Sequence, residues 1–176
     1  MRIVIVVRVL WPGGVQRIAF NETKGLIEKG HDVELLFIRG TNRYMYNNYE
    51  IPYKVLYPPA INSRPIGRLL GLITNHYSPQ RGKDATVDID LIRKAEKEYL
   101  NNFDVVYYFD EFSALFGRYS KKKYGHKVIV LIHEVASNNS SIMSRYVQKK
   151  ALKLADIILT NTKENLDIPL CILVPG

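Results

Sequence analysis

Residues 3–38 read IVIVVRVLWPGGVQRIAFNETKGLIEKGHDVELLFI, and this stretch decides the fold class. Ile3–Val7 is a β-branched run without polar alternation, the pattern of a strand buried on both faces of a parallel sheet. After the loop Arg8–Gly14, the apolar positions Val15, Ile18, Ala19 and Leu26 recur at helical spacing, and Gly30 supplies a stop, so a helix is predicted from about Val15 to Lys29. Asp32–Ile38 then reads as a second strand. Connections this short fit a right-handed strand–helix–strand crossover, the opening half of a doubly wound sheet.

The alternation continues outward from there. A short strand is read at Tyr53–Tyr57, between the Asn- and Tyr-rich stretch Arg39–Glu50 and the loop-like segments Pro58–Pro65 and Asn75–Ala85. Val87, Leu91, Ile92, Ala95 and Tyr99 share a helical face, and Asp104–Phe109 follows as a strand. Phe112, Leu115, Phe116 and Tyr119 mark one helix, Lys127–Ile132 a strand, Met143, Tyr146, Val147 and Leu154 another helix, Ile157–Thr160 a strand, and Leu170–Val174 a last one. No repeat, low-complexity tract or linker interrupts the pattern. The expectation is a single Rossmann-like α/β domain over residues 1–176 with a doubly wound, mostly parallel sheet.

Composition narrows the partners. The 176 residues carry 25 Lys and Arg against 17 Asp and Glu, a net charge of +8 that favours anionic partners. Cut at residues 60 and 126, the three portions carry +3, +3 and +2, so the excess reads as spread out and a nucleic-acid partner is not expected. Lys121, Lys122 and Lys123 end a helix, where cations complement the dipole; a solvated helix end is the default, with contact to an anionic membrane surface as the alternative. The single cysteine, Cys171, excludes an internal disulfide and fits a reducing compartment. The first apolar run, broken by Arg8, is too short for a signal peptide, and no stretch approaches the roughly 18 apolar residues of a spanning helix. A cytoplasmic protein, or one peripheral to the inner face of the membrane, is the expectation.

Ligands of open α/β sheets collect at the carboxyl ends of the strands, and two such places stand out. The first is the loop Arg8–Gly14, where Gly13 and Gly14 precede a helix start; without Cβ atoms they let backbone N–H groups approach a diphosphate, and they equally suit a plain turn. The second is His133-Glu134, directly after the strand Lys127–Ile132, where an imidazole either contacts a sugar hydroxyl or satisfies loop backbone. The dinucleotide fingerprint Gly-x-Gly-x-x-Gly is absent after the first strand, and the second strand ends in Arg39 rather than a ribose-binding carboxylate. The Walker phosphate loop and the Gly-x-Ser-x-Gly elbow are absent as well. His31, His76, His126 and Cys171 share no metal-like spacing, so neither a protein-held metal nor a tightly bound cofactor is expected.

The opening strand, the loop ending Pro12-Gly13-Gly14-Val15-Gln16-Arg17, and Glu28-Lys29-Gly30-His31-Asp32-Val33 together resemble the start of glycosyltransferase family four (glycosyltransferases group 1). Val128–Glu134 resembles the family's strand followed by His-Asp, with Glu134 in place of Asp, and Ala155–Thr162 resembles its Ala-Asp, strand and small hydroxyl residue, with Asn161-Thr162 where Ser is common. The resemblance implies the GT-B fold, of which this chain is the N-terminal, acceptor-side half, and retaining transfer of a sugar from a nucleoside-diphosphate sugar. It implies that Gly13 and Gly14 bind the donor, that His133 is the catalytic contact to the transferred sugar, and that Gln16, Arg17, Glu134, Asn161 and Thr162 are secondary candidates. The implied partners are a C-terminal donor-binding domain, absent here, and a sugar or lipid-linked acceptor; without that domain no turnover is expected. The residues alone leave two other readings open: a non-catalytic module binding a sugar or phospholipid, and a basic nucleic-acid-binding domain.

Overall fold

The apolar run at the head of the chain becomes β1 (Arg2–Val9), with Ile3–Val7 all buried. A computed structural model describes residues 1–10, 13–40, 51–57, 96–114, 118–132 and 142–160. After β1 come α1 (Gly14–Glu28), β2 (Asp32–Arg39), β3 (Tyr53–Tyr57), a 3-10 turn at Leu100–Asn102, β4 (Val105–Tyr108), α2 (Glu111–Ala114), α3 (Arg118–Tyr124), β5 (Lys127–Ile132), α4 (Ile142–Leu154) and β6 (Ile157–Thr160). The described strands form one sheet in the order β3-β2-β1-β4-β5-β6, and every pairing is parallel. This is the Rossmann-like, doubly wound arrangement expected from the sequence.

Both faces of the central strands are covered, which is why those strands lack polar alternation. Val4, Val6, Leu36, Val106, Tyr108, Val128 and Val130 face one side with Ala114 and Ala151 of α2 and α4. Their neighbours Ile5, Val7, Leu35, Phe37, Tyr107 and Leu131 face the other side with Ala19 and Phe20 of α1. On that side the rings of Phe20, Phe37 and Tyr53 meet with centroids 5.6–5.9 Å apart, tying α1 to β2 and β3. Aromatic contacts of this kind add about 0.5–1.5 kcal/mol each beyond burial.

Helix α1 ends where the sequence provides glycine. Gly30 takes φ 83°, its N–H donates to Ile27 O at 2.8 Å, and the His31 N–H reaches Leu26 O at 3.1 Å, the Schellman pattern that satisfies the last carbonyls. The expected elements at Tyr53–Tyr57, Lys127–Ile132 and Ile157–Thr160 coincide with β3, β5 and β6. The segment read as one helix from Phe112 to Tyr119 is described as two pieces, α2 and α3, with residues 115–117 outside the described residues. The helix expected from Val87 is described only at its end, residues 96–98. Cys171 and the expected strand Leu170–Val174 lie outside the described residues.

The solvated reading of Lys121 is corrected by its surroundings. Its ammonium donates to Leu154 O, the last residue of α4, at 2.7 Å and pairs with Asp156 at 2.8 Å, so it fastens α3 to the end of α4. Lys122 and Lys123 are exposed as expected. Burial alone would raise the Asp156 carboxyl; hydrogen bonds from Lys121 and from the Val128 N–H (2.8 Å), with the charges of Lys121 and Lys127, hold it below the usual range instead.

Candidate active-site crevice

Strands β1 and β4 are neighbours, yet the chain leaves β1 towards β2 and leaves β4 towards β5. Their carboxyl ends therefore diverge around a crevice, the topological switch point where open α/β sheets bind ligands. Arg8 on β1 and Asp110 after β4 face each other across it, Arg8 Nε lying 3.1 Å from Asp110 Oδ2 with both side chains largely buried. Asp110 also caps α2: its carboxylate accepts from Ser113 N at 2.7 Å and from Ser113 Oγ at 2.9 Å. One carboxylate thus fixes the loop after β4 and positions the cation at the end of β1.

Glu111 is the next residue inward. Burial, reinforced by the adjacent Asp110 carboxylate, pushes its carboxyl up, against the opposing influence of its own backbone N–H, Arg8 and Gln148. Gln148, buried on α4, donates to Glu111 Oε1 at 3.5 Å. The crevice wall is therefore a polar row, Arg8, Asp110, Glu111 and Gln148. It combines hydrogen-bond acceptors with a fixed cation, groups suited to orienting hydroxyls.

On the β1 side the loop enters α1 at Gly13, the N-cap, which makes no side-chain cap; α1 has no acidic residue in its first turn. The positive end of the helix dipole and its first N–H groups therefore lie beside the crevice without an internal carboxylate to neutralise them. A Cβ at Gly13 would stand 2.8 Å from Gln16 Oε1, whereas one at Gly14 would meet nothing within 4 Å. Gln16 itself is buried and its Nε2 donates to Val9 O at 2.9 Å, tying the end of β1 to α1. Arg17 is exposed on α1.

Of the residues proposed from sequence, Gly13, Gly14, Gln16 and Arg17 thus gather at the β1–α1 junction. His133, Glu134, Asn161 and Thr162 lie outside the described residues. Arg8, Asp110, Glu111 and Gln148 were not singled out from sequence. The signal for two of them was legible, since Asp110-Glu111 follows a strand just as His133-Glu134 does. Among the described residues, no group of three His, Cys, Asp or Glu converges to hold a metal ion, and no helix is long and apolar enough to cross a membrane.

An all-parallel, doubly wound sheet with a polar crevice at its switch point defines the class of Rossmann-like domains found in GT-B sugar transferases. The profile of Glycosyltransferase Family 4 matches residues 12–168, and the chain belongs to that family. No curated protein matches the chain. Among solved structures it is similar to Anabaena Alr3699/HepE in complex with UDP and glucose, at 14% identity and a TM-score of 0.63 over 93% of this chain and 38% of that one. It is similar to the lipopolysaccharide outer core galactosyltransferase WaaB in its apo form, at 14% identity and TM-score 0.62 over 99% of this chain and 43% of WaaB. Arabidopsis thaliana UGT89C1 complexed with UDP follows at 11% identity and TM-score 0.53, with 94% and 43% covered. The chain spans about two-fifths of the length of these structures, and likenesses at such identity are likenesses of fold.

Proposed function

We propose that this chain is the N-terminal, acceptor-side domain of a retaining glycosyltransferase, which moves a sugar from a nucleoside-diphosphate sugar to a sugar or lipid-linked acceptor once a C-terminal donor-binding domain closes over the crevice. The observation that carries the reading is the family match over residues 12–168, combined with a crevice whose β1 side presents Arg8 and an uncapped helix start and whose β4 side presents Asp110 and Glu111. Three similar structures hold UDP and another holds UDP-glucose, which supports a uridine diphosphate sugar as donor. In this reading the backbone at Gly13 and Gly14 approaches the donor diphosphate, aided by the α1 dipole. His133 contacts the transferred sugar, with Gln16, Arg17, Glu134, Asn161 and Thr162 in secondary roles. Asp110 and Glu111 orient the acceptor hydroxyl from the opposite wall.

Transfer from such a donor builds positive charge on the sugar ring and negative charge on the departing diphosphate, so preorganised dipoles and hydrogen bonds contribute more than a strong nucleophile. The domain works in the cytoplasm or at the inner membrane face. An amide NMR titration with several nucleoside-diphosphate sugars tests the reading. Weak, saturable shifts at Gly13, Gly14 and His133, largest with the uridine nucleotide, are expected. Shifts from acceptor sugars alone, with none from any nucleotide sugar at millimolar concentration, would replace it with a binding module.

A further inference from the structure

The carboxylates on the β4–β6 side of the sheet are not equivalent. Asp110 holds Arg8 Nε at 3.1 Å and accepts two bonds from Ser113, and Asp156 holds the Lys121 ammonium at 2.8 Å. Glu111 is likewise only partly exposed, yet among the described residues no cation stands within ion-pairing distance of it. The partner its side chain does meet there is the uncharged amide of Gln148, at 3.5 Å the outer limit of a hydrogen bond.

Asp110 joins β1 to α2, and Asp156 joins α3 to β5, so both negative charges serve the fold. The charge of Glu111 does not: its contact with Gln148 needs only an acceptor oxygen, which a neutral amide would supply equally. Burial is the largest influence on the Glu111 carboxyl, and of the two described charges that act on it the repelling Asp110 outweighs the attracting Arg8. The wall of the crevice is therefore short of one positive charge at this position, in surroundings where a partly desolvated carboxylate gains more from a cation than it would in water.

Resting on the transferase reading for the identity of the bound molecule, we propose that Glu111 selects the acceptor: its carboxylate receives the ammonium group of an amino sugar lying in the crevice and repels acceptors that carry a phosphate or carboxylate at that end. An ammonium supplies the missing charge through a bond roughly twice as strong as a hydroxyl's. Arg8, already engaged by Asp110, gives a phosphate no counterweight. Glu111 touches the acceptor, whereas Asp110 acts through Arg8 and α2 and is a positioning residue.

The test is an amide NMR titration with glucosamine against glucose and galactosamine against galactose, the amines in their ammonium forms, and with glucose 6-phosphate, followed at Asp110, Glu111 and Gln148. In at least one pair the amino sugar should bind about 10-fold more tightly than its neutral parent, with the phosphate weaker than either and the preference reduced by salt. Glu111→Gln should abolish the preference and keep the urea midpoint at or above that of the wild type, because it removes a charge that burial disfavours. Glu28→Gln, exposed at the far end of α1, should bind as wild type. No preference in either pair, a preference that survives Glu111→Gln, equal losses in both variants, or a lower urea midpoint for Glu111→Gln would each overturn the proposal. Shifts at Gly13 and Gly14 with nucleoside-diphosphate sugars report on the transferase reading separately. Their persistence without an amine preference strikes the acceptor selection alone, and an intact preference without them strikes the transferase reading and not the charge selection.

Discussion

The two glycines that open α1 should respond in opposite directions to the same substitution. At Gly13 the backbone is extended (φ −166°), a conformation any residue adopts, so the only obstacle to Gly13→Ala is contact: the new Cβ would lie 2.8 Å from Gln16 Oε1. Gln16 gives way by loosening its buried bond to Val9 O, at the limit leaving that carbonyl without its side-chain donor. An unsatisfied buried acceptor costs about 1–3 kcal/mol, and alanine is itself a poor N-cap. For a chain of this size about 1 kcal/mol moves the melting temperature by roughly 2–4 °C, so Gly13→Ala should lower it by between roughly 2 and 12 °C. At Gly14 a Cβ meets nothing within 4 Å and φ is not positive, so Gly14→Ala should stabilise by about 0.4–1 kcal/mol through the unfolded chain. Thermal and urea unfolding of both variants, with Gln16→Ala and the Gly13→Ala/Gln16→Ala double variant to close the cycle, measures this. The double variant should cost less than the two single changes added together. A Gly14→Ala protein less stable than wild type, or a neutral Gly13→Ala, refutes the reasoning. The same variants carry a functional arm: if a ligand occupies the open space at Gly14, the stabilised variant should lose the NMR response to nucleotide sugars.

Asp110→Ala removes the cap of α2 and the partner of Arg8, and is expected to cost about 1 kcal/mol from the cap alone while weakening acceptor binding; Asp110→Asn, which keeps a capping oxygen, should restore most of the stability but not the binding, as read by urea unfolding and acceptor titration. Tyr108→Phe deletes the donor to Glu96 Oε1, 3.1 Å away in the buried sheet face, and should cost about 1–3 kcal/mol in a urea titration; a cost near zero would mean the carboxyl is satisfied equally well without it. Burial, with Lys121 adding and Asp156 opposing, holds His126 below its ordinary 6.5. The unfolded chain therefore takes up the proton first, and stability that is complete above about pH 6.5 is lost as pH falls below it. His126→Phe, able to keep the stacking on Tyr124, should flatten that limb of the urea midpoint against pH; an unchanged slope would assign the loss to other groups.

Much of the sheet was legible because its central strands are buried on both faces. A run such as Ile3–Val7 or Val128–Ile132 has no other plausible place, and β3, β5 and β6 fell within their expected bounds. What could not be read was anything set by distant partners. Arg8 looked like the end of β1 because a charge interrupted the apolar run, yet the strand continues to Val9 and the charge is met by Asp110 from another strand end. Lys121 followed the helix-end rule locally, but its ligands Leu154 O and Asp156 belong to a later crossover. The candidate site was half visible: Gly13 and Gly14 follow from local backbone chemistry and Asp110-Glu111 from its place after a strand, whereas Gln148 matters through burial and its contact with Glu111, which no spacing reveals.

The pairing of β1 has a consequence for how the chain matures on the ribosome. One side of β1 pairs with β2, close behind it in sequence, but the other pairs with β4, whose entry is marked by Asp104 accepting from the Arg2 N–H at 2.7 Å. Synthesis at roughly 5–20 residues per second separates those two events by roughly 3–14 s. For that interval the most apolar strand of the nascent chain carries an open edge, a template for mispairing with neighbouring chains. Chaperone dependence during synthesis should therefore concentrate between the emergence of Val9 and that of Tyr108, and slowing translation within that window should lower the yield of folded protein more than slowing it afterwards.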